Sequence, residues 1–197
     1  MNASTSDGTD IDALRRQLAR QEERLRAIED RHAIIDCTHR FSRGVNRRDR
    51  ELLKSAFHPD AIDDHGFFVG GREDLVKWID EVYQGVSATQ HFVTNHRVEI
   101  EGDTAHGETY WFVANVGLDG IGVILRGGRY IDRFERRDGH WAIAARVCLI
   151  EWNGAPGEVR FPPDALAELA KSGASTHDRN DLSYVRPLTV RRKPTAG

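Results

Sequence analysis

The 197-residue chain carries a formal net charge of −3, is 39% hydrophobic and 30% charged, and holds two cysteines. This excludes a strongly basic nucleic-acid binder, a disulfide framework, and a membrane span, which needs an apolar run of about 18 residues. The length suits one domain with extensions and a closed hydrophobic core.

Residues 1–10, rich in Ser, Thr, Asp and Gly, predict a flexible tail. They lack the basic start and apolar core of a secretory signal, so a cytoplasmic location is expected. Cys37 and Cys148, without CxxC spacing, read as small buried apolar residues. Ile11, Leu14, Leu18, Leu25 and Ile28 recur at three-, four- and seven-residue steps, which predicts an amphipathic helical extension over 11–27 lying on its own domain or on a second subunit. The pattern continues through Ile34, Cys37 and Phe41. Gly44 and the polar stretch 46–49 then predict a tight turn before a second helix containing Leu52, Leu53 and Phe57, stopped by Pro59.

Residues 61–69 suit a short strand turned by Gly70-Gly71, and 73–83 a third helix carrying Leu75, Val76, Trp78 and Ile79. Four strands follow near 89–100, 104–116, 121–134 and 141–152, separated by turn signals at Gly102, Asp119-Gly120 and Asp138-Gly139. Helices followed by an antiparallel meander indicate α+β. Residues 28–155 are expected to form the domain. Residues 156–197, punctuated by prolines, read as a C-terminal arm with a short helix over 164–171, and Tyr184–Leu188 as a lid or subunit crossing.

Four segments can now be placed: Phe41-Ser42-Arg43-Gly44-Val45-Asn46-Arg47-Arg48-Asp49, His58-Pro59-Asp60-Ala61, Gln90-His91-Phe92-Val93-Thr94-Asn95, and Gly128-Arg129-Tyr130-Ile131-Asp132-Arg133-Phe134 running on to Trp141. In order and spacing they resemble the polyketide-cyclase-like (SnoaL-like) branch of the nuclear transport factor 2-like superfamily. The resemblance implies a cone: a curved antiparallel sheet and three flanking helices around a pocket. It also implies kinship with scytalone dehydratase, bile acid 7α-dehydratase and hexachlorocyclohexane dehydrochlorinase, which eliminate water or HCl without a metal or organic cofactor. Non-catalytic relatives, including ring-hydroxylating dioxygenase β-subunits, imply a scaffold instead.

In the lyases a pocket histidine accepts the proton and an aspartate orients it. His91 falls on the histidine position, Asn46 on the aspartate position, and Phe41 where some dehydratases place a tyrosine. Asn46 can accept the orienting hydrogen bond but supplies no counter-charge, so a different carboxylate assists or the chemistry differs. Asp63, Asp64 and His65 are the candidate substitutes, with Asp63 and His65 on one strand face by alternation.

The resemblance implies His91 as general acid/base, Asn46 as its orienter, and Arg146 or Tyr130 as electrophilic stabiliser. Phe41, His65, Trp78, Tyr110 and Arg126 are the candidate substrate contacts. Arg126 and Arg146 suit an anionic intermediate, and equally suit ion pairs with Glu108, Asp132 or Glu151. No metal or cofactor motif is present: the histidines lack zinc-site spacing, and His91 and His96 are expected on opposite strand faces. His96, His106 and His140 read as solvent-facing. The expected partners are a small, largely apolar aromatic or polycyclic hydroxylated substrate and further copies of the chain, as a dimer or trimer.

Overall fold

The computed structural model describes residues 6–156 and, beyond them, residues 162, 164, 167, 171, 176 and 178–180. Most of the expected C-terminal arm, including 184–188 and most of the helix expected over 164–171, lies outside the described residues, as do residues 1–5.

A single helix, α1 (Ser6–Arg47), takes in the expected extension together with residues 6–10 of the expected tail. It starts earlier than the apolar pattern predicts and runs unbroken through Gly44. Ile34, Cys37, Thr38, Phe41 and Val45 are buried at helical spacing, so only the C-terminal half of α1 packs on the sheet. Ile11, Leu14, Leu18, Leu25 and Ile28 are exposed in the single chain. Gly44 does not break the helix. It admits α2 (Arg50–Ser55), because a Cβ there would come within 2.7 Å of the Leu53 backbone nitrogen. The turn between the helices comes at Arg48, with φ of 52°, and Asp49 caps α2 by accepting from the Leu52 N–H at 3.0 Å.

Strands β1 (Phe57–Asp64) and β2 (Val69–Gly71) form a hairpin that turns at Gly66 and not at Gly70-Gly71. Gly66 takes a φ of 77°, and the His65 N–H closes the turn on the Phe68 carbonyl at 2.7 Å. Helix α3 (Arg72–Val82) buries Leu75, Val76 and Ile79 and leads through a short 3₁₀ turn to the meander β3 (Val86–Glu101), β4 (Thr104–Gly117), β5 (Val123–Arg137) and β6 (His140–Gly154). The six-stranded sheet has the order β2-β1-β6-β5-β4-β3. The β1–β6 pair is parallel, an exception to the expected antiparallel sheet: the α3 crossover carries the chain to the far edge, and the meander returns β6 beside β1.

The helices cover the concave face of this curved, unclosed sheet. One irregularity shapes it at Gly127/Gly128, where the β5–β6 register shifts. A Cβ on Gly128 would lie 1.9 Å from the Leu149 carbonyl oxygen, so glycine permits the close strand approach. A second shift falls between Thr94 and His96, with Asn95 at φ 42°. That bulge brings His96 to the same concave side as His91, contrary to simple alternation. His96 is half-buried there, its Nδ1 2.8 Å from Thr109 Oγ1.

Candidate active site

A cavity of about 260 Å³ opens between the concave sheet and the helices. Its wall includes Phe41 from α1, His65 after β1, Trp78 from α3, His91 from β3, and Arg126 and Tyr130 from β5. These six expected residues are therefore brought together. Asn46 stands directly behind His91.

The Asn46 side-chain oxygen accepts two hydrogen bonds from His91, one from the backbone N–H at 3.1 Å and one from the ring at 2.7 Å. The backbone bond identifies the facing Asn46 atom as the oxygen, since an amide nitrogen has no lone pair to offer an N–H. Nδ1 of His91 must then carry the proton, which leaves Nε2 with its lone pair. Burial and the facing charge of His65 push the His91 imidazole down to about 3, so it is neutral throughout the ordinary pH range.

His65 is tuned oppositely. Its Nδ1 lies 2.6 Å from Asp63 Oδ1, and Asp63 is itself fully buried. Burial pulls the His65 imidazole down, but the Asp63 charge and hydrogen bond outweigh it, with a further raising contribution from Cys148, and His65 rises to about 10. Asp63 is thus a buried carboxylate behind the cavity wall, and it serves His65 and not His91. The strand alternation of Asp63 with His65 carried that signal.

Besides Asn46, two expected residues do not reach the cavity wall. Arg146 lies in the core behind Tyr130, its guanidinium bidentate to Asp132 at 2.7 and 2.8 Å, with both side chains wholly buried. It stands 4.0 Å from the Tyr130 ring centre and 4.6 Å from that of Phe41. The expected direct electrophile is corrected to a structural cation: the two aromatic faces and Asp132 occupy it. Register places Asp63, Arg146 and Asp132 side by side on β1, β6 and β5, so the two aspartates are balanced by Arg146 and protonated His65. Tyr110 points to the convex face, 40% exposed, beneath Arg129. Its neighbour Trp111 takes the inward place and stacks on Tyr130 at 5.6 Å. A one-residue shift of phase reverses a strand's faces.

Tyr130 is buried, and burial, Cys148 and other neighbours raise its phenol well above the usual range, against the lowering effect of Arg146. It is therefore a neutral donor. Tyr83, Trp111 and Cys148 also line the wall and were not among the expected contacts. Among the described residues no three His, Cys, Asp or Glu side chains converge in a way that would hold a metal ion, and no helix is long and apolar enough to cross a membrane.

The chain resembles a solved hexachlorocyclohexane dehydrochlorinase, LinA type 2, at 25% identity and a TM-score of 0.64, covering 71% of this chain and 97% of that one. A Novosphingobium aromaticivorans protein assigned as an aromatic ring hydroxylase matches at 26% identity and a TM-score of 0.60, covering 66% of this chain and 94% of that one. Another from the same organism, assigned as a scytalone dehydratase, shares the fold at 18% identity and a TM-score of 0.60, covering 68% and 91%. No curated protein sequence matches significantly. The family model of the SnoaL-like domain matches residues 26–147, the segment that supplies nearly all of the cavity wall, and the chain belongs to that family.

Proposed function

We propose that the protein is a cofactor-independent lyase of the dehydratase type, acting on a small, largely apolar hydroxylated aromatic substrate. The observation that carries this reading is the pair of histidines lining one cavity with opposite partners, His91 on the Asn46 amide oxygen at 2.7 Å and His65 on the buried Asp63 carboxylate at 2.6 Å, surroundings that favour a neutral His91 and a protonated His65. Two titratable groups pushed apart by their surroundings define an acid and a base. The family relationship, with a dehydrochlorinase among the structural neighbours, supports elimination chemistry.

In this mechanism Nε2 of His91 takes a proton from a substrate carbon, and the C–H electrons form the double bond. The carbon–oxygen bond on the adjacent carbon breaks, and His65 gives its proton to the departing oxygen, which leaves as water. The positive charge passes from His65 to His91. Burial holds His91 down throughout, and the smaller cause, the His65 charge, vanishes as His65 loses its proton, which eases protonation of His91 as the step proceeds. Tyr130 is placed to donate to a developing oxyanion. C–C cleavage of a hydroxylated side chain and isomerisation begin with the same proton abstraction.

Asn46 favours one second reading, a binding module of the same fold, since it leaves His91 without a counter-charge when protonated. Turnover of hydroxylated aromatic compounds by wild type, His91→Ala and His65→Ala separates the two. The lyase reading expects C–H exchange with solvent deuterium that is lost in His91→Ala and water loss abolished in both variants. Ligand binding without exchange in all three proteins establishes the binding module.

A further inference from the structure

Arg126 is the cavity residue the acid–base pair does not use. It is half-buried on the concave face and lines the cavity, and among the described residues no carboxylate pairs with it. Among the described residues the buried charges behind this face are matched, Asp63 by His65 and Asp132 by Arg146. The cavity therefore holds one unbalanced positive charge in an apolar wall of Phe41, Val45, Trp78, Ile79, Trp111 and Val113. Such a charge is costly to desolvate without an anion.

Resting on the lyase reading above, we propose that the substrate is an aromatic carboxylate and that Arg126 holds its carboxylate group. A guanidinium fork matches a carboxylate in a way that a lone hydroxyl does not. Register fixes the spacing. His91 pairs with Val113, and Val113 with Arg126, so the base and the cation lie in one row two strands apart. Their Cα atoms are about 10 Å apart, from about 4.8 Å per strand. A single aromatic ring with its acidic group toward Arg126 and its reacting carbon toward His91 spans that row. Tyr83 stands at the same end: its phenol lies in the field of Arg126 and faces Thr89 and Asn115, which are hydrogen-bonded to each other at 2.6 Å. The cavity, just under the ~300 Å³ at which small-molecule sites begin, favours one ring over a polycycle.

Isothermal titration of the full chain with trans-cinnamate and with cinnamyl alcohol, two flat ligands differing in the acidic group, tests this. Wild type is expected to bind the acid at least tenfold more tightly than the alcohol. Arg126→Met removes that preference, and Arg126→Lys keeps part of it. Among the described residues Arg126 has no carboxylate partner to lose, so both variants should fold. Equal affinity for the two ligands, no binding of the acid by wild type, or a preference retained in Arg126→Met overturns the proposal. Failure of the lyase reading shows elsewhere, as absence of C–H exchange with the acid preference intact.

Discussion

Replacing Asp63 with Asn removes the charge that keeps His65 protonated while retaining the shape of the side chain. In the wild type His65 rises from an ordinary 6.5 to about 10. At about 1.4 kcal/mol per pH unit, that displacement is on the order of 5 kcal/mol of linked stability. The sign follows from the direction. A raised imidazole contributes fully below 6.5, and its contribution is lost as pH climbs from 6.5 through about 10. In Asp63→Asn only burial acts strongly on His65, so its titration falls to 6.5 or below and the alkaline loss of stability disappears. NMR titration of the imidazole Cε1–H signals and urea unfolding at pH 6, 8 and 10 measure both effects. A wild-type His65 that titrates near 6.5, or one that titrates above 9 in both proteins, refutes the dyad and with it the assignment of His65 as acid.

Asn46→Asp places a counter-charge 2.7 Å from His91 Nδ1 and should raise that imidazole by ~1–3 pH units from about 3, read in the same NMR titration; if His91 is the base, the acid limb of turnover moves up with it. Arg146→Leu leaves Asp132 buried and unpaired, with an expected loss of about 3–5 kcal/mol and a fall in Tm of roughly 10 °C by calorimetry, partly recovered by adding Asp132→Leu. The convex face carries a cluster of Phe92, Phe112 and Trp152 with ring centres 5.5 and 5.8 Å apart, uncovered in the single chain like the seam of α1. Sedimentation should therefore find a homo-oligomer that Phe92→Ser with Trp152→Ser reduces to smaller species; a wild-type monomer refutes it.

The α+β order was legible because it depends on patterns that survive in one dimension: helical spacing from Ile34 to Val45, turn glycines, and four runs of alternating strand; the cone and the His91–Asn46 contact came from the family resemblance, since no periodicity joins residues 45 apart. Strand phase was less legible. On β4 both faces are aromatic, since Tyr110 and Phe112 look outward and Trp111 inward, so apolarity could not say which faces the cavity. The His96 face was inverted by a bulge at Asn95, where nothing but an unusual backbone angle marks the extra residue. For Arg146 the sequence left an anionic intermediate and an ion pair with Glu108, Asp132 or Glu151 equally open, because Asp132 is fourteen residues away and only the hairpin register selects it.

Asn46 looks at first like the loss of a catalytic carboxylate, but the charge balance of the wall argues for its relocation. A carboxylate beside His91 would raise that base and compete with Asp63 for the one proton the two imidazoles share. With an amide at position 46, the tautomer of His91 is still fixed by a 2.7 Å bond, while the buried carboxylate of Asp63 is held against His65. The two histidines then respond oppositely to pH: depressed His91 costs stability as pH falls from 6.5 toward about 3, and raised His65 as pH climbs from 6.5 toward about 10. Their joint contribution is greatest near pH 6.5, where the acid is protonated and the base is free. The protonation pattern that suits elimination is therefore also the one that folding favours.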